Sequence, residues 1–115
     1  MIDLNLLDDL CGFLKLKKPV DIQFRFRQSS DYDAEYWPKM RDNGSIKRHI
    51  IRFYVCADQD FERDFNTLLA HELIHAYQAE RELTEIHGKH FKKWAKKLQK
   101  TFGIKGIYNS ELDCD

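Results

Sequence analysis

The sequence predicts an α+β fold: an N-terminal helix, a small antiparallel sheet of about three strands, then two further helices. Three features predict it. Apolar residues recur at three-and-four spacing near the N-terminus, alternate through the middle of the chain, and return to helical spacing in its second half. An Asn-Gly pair divides the alternating region. With 115 residues the chain has room for one modest core, and the expected organisation is a single domain over 1–115.

The first helix is expected from Asp3 to Leu16, with Leu6, Leu7, Leu10, Phe13 and Leu14 on one face. Asp3 is placed to cap it, and Pro19 bars its continuation past Lys18. Val20, Ile22, Phe24 and Phe26 then alternate with Asp21, Gln23, Arg25 and Arg27, the pattern of a half-buried strand. Tyr32 to Met40 reads as a weaker strand whose Pro38 suits an edge or a bulge. Asp42-Asn43-Gly44-Ser45 is a turn, because Asn-Gly tolerates the positive φ angles of a tight hairpin. Ile46 to Cys56 follows as an inner strand, apolar on both faces near its end.

Asp58 or Asp60 is placed to cap a second helix running to about Arg81, with Phe61, Phe65, Leu68, Leu69, Leu73 and Ala76 on its apolar stripe. Glu82 to Ile86 is a short connection. A third helix is expected over 88–101, burying Phe91, Trp94, Ala95, Leu98 and Phe102 and closed by Gly103. Ile104, Ile107 and Tyr108 are suited to lay one short segment back on the body.

Composition excludes several classes. No apolar run is long enough to span a membrane. Asp3, Asp8 and Asp9 interrupt the N-terminal leucines and no basic residue precedes Lys15, which is wrong for a secretory signal, so a cytoplasmic location is expected. Cys11, Cys56 and Cys114 form no Cys-x-x-Cys pair and read as reduced thiols. Formal net charge is zero, yet seven lysines and no acid lie between Ile86 and Ser110. Six of them, Lys89, Lys92, Lys93, Lys96, Lys97 and Lys100, fall on the third helix. They solvate its outer face or meet a polyanion such as nucleic acid.

The chemistry is concentrated in Thr67-Leu68-Leu69-Ala70-His71-Glu72-Leu73-Ile74-His75-Ala76, a His-Glu-x-x-His motif on the second helix. Residues four apart lie one turn apart on the same face, so His71 and His75 point the same way and can grip one divalent metal. Glu72 stands beside them as a general base. An ordinary hydrogen-bond network is the other way to satisfy three ionisable groups on so apolar a helix. A catalytic zinc usually takes three protein ligands and keeps one position open. A layout with Gly three and His six residues beyond the second motif histidine fails, because Gln78 and Arg81 stand there. A glutamate on the next helix fails too, because that helix has no acid. Glu80, Glu82 and Glu85 lie nearby, but the first two extend the motif helix itself and cannot fold back onto the metal. His87 and His90 remain, and His87, just ahead of Gly88, is the better aimed at the second helix.

The motif, followed by His87-Gly88-Lys89-His90-Phe91 and then Trp94 and Leu98, resembles the SprT-like family of zinc metallopeptidases. The resemblance implies a zincin-like fold with His71, His75 and His87 as zinc ligands and Glu72 as the catalytic acid/base. It implies hydrolysis of peptide bonds in a protein or peptide substrate. A branch of the family acts on DNA-associated proteins, which implies nucleic-acid contact through the third-helix lysines and an association with the nucleoid or nucleus. Many members carry a C-terminal zinc ribbon with paired cysteines; none is expected here. The competing expectation is a module that binds protein or DNA and uses zinc only for structure.

Overall fold

The computed structural model describes residues 4–27, 34–56, 65–83 and 86–108. Within them the chain runs α1 (Leu4–Phe13), β1 (Val20–Arg27), β2 (Ala34–Met40), β3 (Ile46–Cys56), α2 (Phe65–Glu80) and α3 (Lys89–Phe102). This is the expected order of helix, three-stranded sheet and two helices. The expected caps at Asp3, Asp58 and Asp60, the strand start at Tyr32, and Phe61 lie outside the described residues.

The sheet departs from expectation in one respect: it is mixed, not antiparallel throughout. Its strand order is β1-β3-β2. β2 pairs antiparallel with β3, from Ala34↔Phe53 to Met40↔Ile46. β1 pairs parallel with β3, from Val20↔His49 to Arg27↔Cys56. The reason lies in β3, whose two faces are both largely withdrawn from water. Ile51 and Phe53 are fully buried on one face, and Ile50 and Tyr54 nearly so on the other. Such a strand belongs at the centre, with a neighbour on each edge. The hairpin at 41–45 assigns one edge to β2, and β1 takes the other. Gly44 adopts φ +85° in that hairpin, while the Asn43 side chain accepts from the Ser45 N–H at 3.0 Å. Pro38 sits on the edge strand β2, where its missing N–H costs no ladder bond to a further neighbour.

The helices end by similar devices. Lys15 adopts φ 54°, with Leu16 N–H donating to the Cys11 carbonyl (3.1 Å) and Lys15 N–H to that of Gly12 (3.1 Å). This is a Schellman closure, and it stops α1 three residues before the expected Leu16. Glu82 repeats it at the end of α2 with φ 55°, as Leu83 N–H donates to the Gln78 carbonyl (2.9 Å). Gly103 closes α3 at φ 72°.

α2 is the centre of the packing. Leu68, Leu69, Ala70, Leu73, Ile74 and Ala76 are all buried, because the helix lies between the sheet, α1 and α3. α3 is one-sided: Phe91, Ala95 and Leu98 are buried and its lysines exposed. Phe13 packs edge-on to both Trp94 (5.9 Å) and Phe102 (5.4 Å), tying α1 to α3. Burial, aided by the Asp8 and Glu80 carboxylates, pushes the Cys11 thiol up to about 11, so it stays protonated at neutral pH.

A second tie was not foreseen. His49 faces the core between sheet and helix and is fully buried. Its Nδ1 lies 2.7 Å from the Tyr36 hydroxyl and its Nε2 2.6 Å from a Glu80 carboxylate oxygen at the end of α2. Glu80 also accepts from the backbone N–H groups of Lys17 (2.8 Å) and Lys18 (3.1 Å). Burial alone would raise the Glu80 carboxyl, but the His49 hydrogen bond and these two backbone donors outweigh it and hold it below its ordinary 4.5. A lowered carboxyl stabilises the fold above its ordinary value and loses that contribution as pH falls through the lowered one. Glu80→Gln is therefore expected to lose about 2 kcal/mol near neutrality. The gap to wild type should narrow below pH 4.5, measured by urea denaturation across pH; a gap that widens there would refute the sign.

Candidate metal centre

Three imidazoles converge where α2 meets the turn that leads into α3. His71 and His75, one helical turn apart, have ring centroids 4.9 Å apart. His87 stands 5.2 Å from the His71 ring and 5.0 Å from that of His75. The sequence sets this up locally. Residues 65–80 contain neither Gly nor Pro, so nothing interrupts the helix that stacks the first two rings. Gly88 is extended at the N-terminal boundary of α3 (φ −85°, ψ −154°), and His87 precedes it, turned back toward α2. One ligand atom from each histidine can be chosen so that all three lie within 4.8 Å of one another. His90 lies exposed on the first turn of α3 and is not in this cluster.

The hydrogen bonds around the cluster set which nitrogens face inward. His71 Nδ1 lies 2.7 Å from the Ile107 carbonyl oxygen, an acceptor, so Nδ1 carries the proton and Nε2 the lone pair. His75 Nδ1 lies 3.0 Å from Gln78 Oε1, with the same result. Such outer partners fix the tautomer and orientation of metal-binding histidines. His87 Nε2 and His71 Nε2 are 3.2 Å apart. Nitrogens held tetrahedrally at about 2.0–2.1 Å from zinc stand roughly 3.4 Å from each other, so this pair is already near that spacing. Three imidazole nitrogen donors at this spacing fit zinc by donor chemistry and geometry.

Glu72 follows His71 on α2 and is fully buried. Phe91, also fully buried, lies under all three imidazoles, with ring centroids 4.7, 5.0 and 5.0 Å from His71, His75 and His87. The segment 103–108 forms the remaining wall. Lys105 O accepts from the Thr67 hydroxyl (3.1 Å), Ile107 O from His71, and Tyr108 donates its hydroxyl to the His87 carbonyl (3.2 Å).

Sequence reasoning brought His71, Glu72, His75 and His87 to one place and missed the parts that hold them. Gln78 was open to inference, since three residues beyond His75 is one turn along the same face. The Ile107 carbonyl was not, because a backbone acceptor has no residue-type signature. Glu80 and Glu82 are turned away from the cluster, the first onto His49 and the second into the left-handed closing position of α2.

The arrangement is that of a His-Glu-x-x-His zinc peptidase active site, completed by a third histidine from the turn that leads into the next helix. No helix among the described residues is long and apolar enough to cross a membrane. Comparison with curated proteins and with solved structures returned no match. The family model for the SprT-like family matches residues 14–111. That span takes in the sheet, the three-histidine cluster and the wall that supports it, and the chain belongs to the SprT-like family.

Proposed function

We propose that this chain is a zinc-dependent peptidase in which His71, His75 and His87 hold the metal and Glu72 is the general base. The observation behind this reading is the convergence of three imidazoles beside a fully buried carboxylate on the same helix. When bound, zinc supplies a Lewis acid that polarises the scissile carbonyl and makes water acidic enough to ionise near neutrality. Glu72 takes the proton from the attacking water and delivers it to the leaving amide nitrogen. Ile107 O and Gln78 hold the His71 and His75 rings with Nε2 inward throughout, and Phe91 keeps water from the underside of the site.

Glu72 also weighs against the alternative of a purely structural zinc module, which has no use for a buried carboxylate. The substrate is a protein or peptide chain. The six lysines of α3 are all exposed, and among their described contacts none singles out a phosphate, so action on DNA-associated proteins rests on charge and family alone.

The zinc-loaded chain is expected to cleave an unstructured protein such as casein. Chelation should lower the rate at least about 100-fold, and added zinc should restore it. One equivalent of bound zinc with no cleavage of any protein would overturn the reading in favour of the binding module.

A further inference from the structure

A groove of about 260 Å³ runs between α3 and the segment 103–108. Its lining includes Lys92, Ala95, Lys96, Gln99, Ile107 and Tyr108, and among the described residues no carboxylate contributes to it. The floor is small and apolar, with Ala95 and Ile107 both buried. Lys92 and Lys96 stand one helical turn apart on the same rim. Lys92 Nζ lies 5.1 Å from the Tyr108 ring centroid, so one ammonium is held at the end nearest the histidines.

That end adjoins the metal centre. Tyr108 hydrogen-bonds the His87 backbone, its ring lies 6.4 Å from the His87 ring, and it packs 5.8 Å from Phe91. An extended polypeptide advances about 3.3 Å per residue, so a chain cleaved at the histidines reaches this groove within about three residues.

We infer that the groove is a specificity subsite for an acidic side chain of the substrate, Asp or Glu. Lys92 and Lys96 supply the opposing charge, Gln99 supplies an amide donor, and the Ala95–Ile107 floor receives the methylene stem. This assigns two of the six α3 lysines to substrate choice and leaves the others to solvate the helix. It rests on the peptidase reading for its position relative to the scissile bond.

Two measurements on the whole chain test it. In the first, the zinc-loaded protein digests an equimolar peptide pool, and cleavage products are sequenced by mass spectrometry. An acidic residue is expected at one fixed position within three residues of the cut, favoured about five- to tenfold over a neutral one. The double variant Lys92→Glu/Lys96→Glu should turn that preference to basic residues, whereas Lys93→Glu, away from the groove, should leave the ratio as it is. In the second, the zinc-loaded Glu72→Gln variant binds fluorescent acidic and neutral peptides, read by anisotropy. Tighter acidic binding that weakens with added salt and is lost in the lysine double variant supports the subsite even if no turnover is found. Absence of cleavage by wild type, with acidic binding intact, would sink the peptidase reading alone. Equal use of acidic and neutral residues, or an acidic preference that survives charge reversal, would overturn the subsite. So would a double variant that loses DNA binding while wild type has no acidic-peptide preference, since the rim would then serve nucleic acid.

Discussion

Glu72→Gln is expected to retain one equivalent of zinc and to lower kcat/KM by about 10²–10⁴-fold, the usual worth of a positioned general base. The amide has nearly the shape of the carboxylate and leaves His71, His75 and His87 unchanged, so metal content and fold should survive. It cannot accept the proton of the attacking water at neutral pH. Elemental analysis, far-ultraviolet circular dichroism and peptide turnover on one preparation separate the two effects. Turnover near that of wild type, with zinc bound, would remove Glu72 from the mechanism and point to base catalysis from solvent.

The largest loss of stability is expected from Phe91→Ala. The ring is fully buried and touches all three imidazoles. Truncating a buried phenylalanine costs about 3–5 kcal/mol through lost burial and the cavity left behind. Here the cavity would open beneath the three histidines, so zinc affinity should fall with stability. Urea denaturation of the metal-free chain reads the first effect, and a zinc competition titration the second. Wild-type affinity alongside the full stability loss would mean that the hydrogen bonds the histidines donate to Ile107 O and Gln78 Oε1 orient the ligands unaided. Leu98→Ala, also fully buried in α3 but not among the ring neighbours of the histidines, is the natural comparison.

Much of this was legible in the sequence because it depends on spacing. His71 and His75 share a face through helical periodicity alone, and the motif's apolar flanks marked a helix buried on most sides. His87 was legible because Gly88 punctuates the chain beside it. What escaped detection depends on contacts between distant backbone segments. The parallel pairing of β1 with β3 follows from competition for the edges of β3, which alternation within a single strand does not encode. His49 did leave a trace: it occupies a core-facing position in alternation with Ile51 and Phe53, where an isolated imidazole needs a partner. Its partner, Glu80, lies 31 residues away on another element, and spacing gave no route to it.

The hydrogen bond from His71 to the Ile107 carbonyl has a consequence for the order of assembly. The two residues are 36 apart, and both the third histidine and α3 lie between them in the chain. The first imidazole is therefore locked in its metal-binding tautomer by this bond only once α3 has docked and the chain has turned back across it. A nascent or partly folded chain that has formed α2 alone has His-Glu-x-x-His in place without a set ligand field. Metal binding and the closing of the fold are thereby coupled, since the ligand field is complete only when the C-terminal wall is in place.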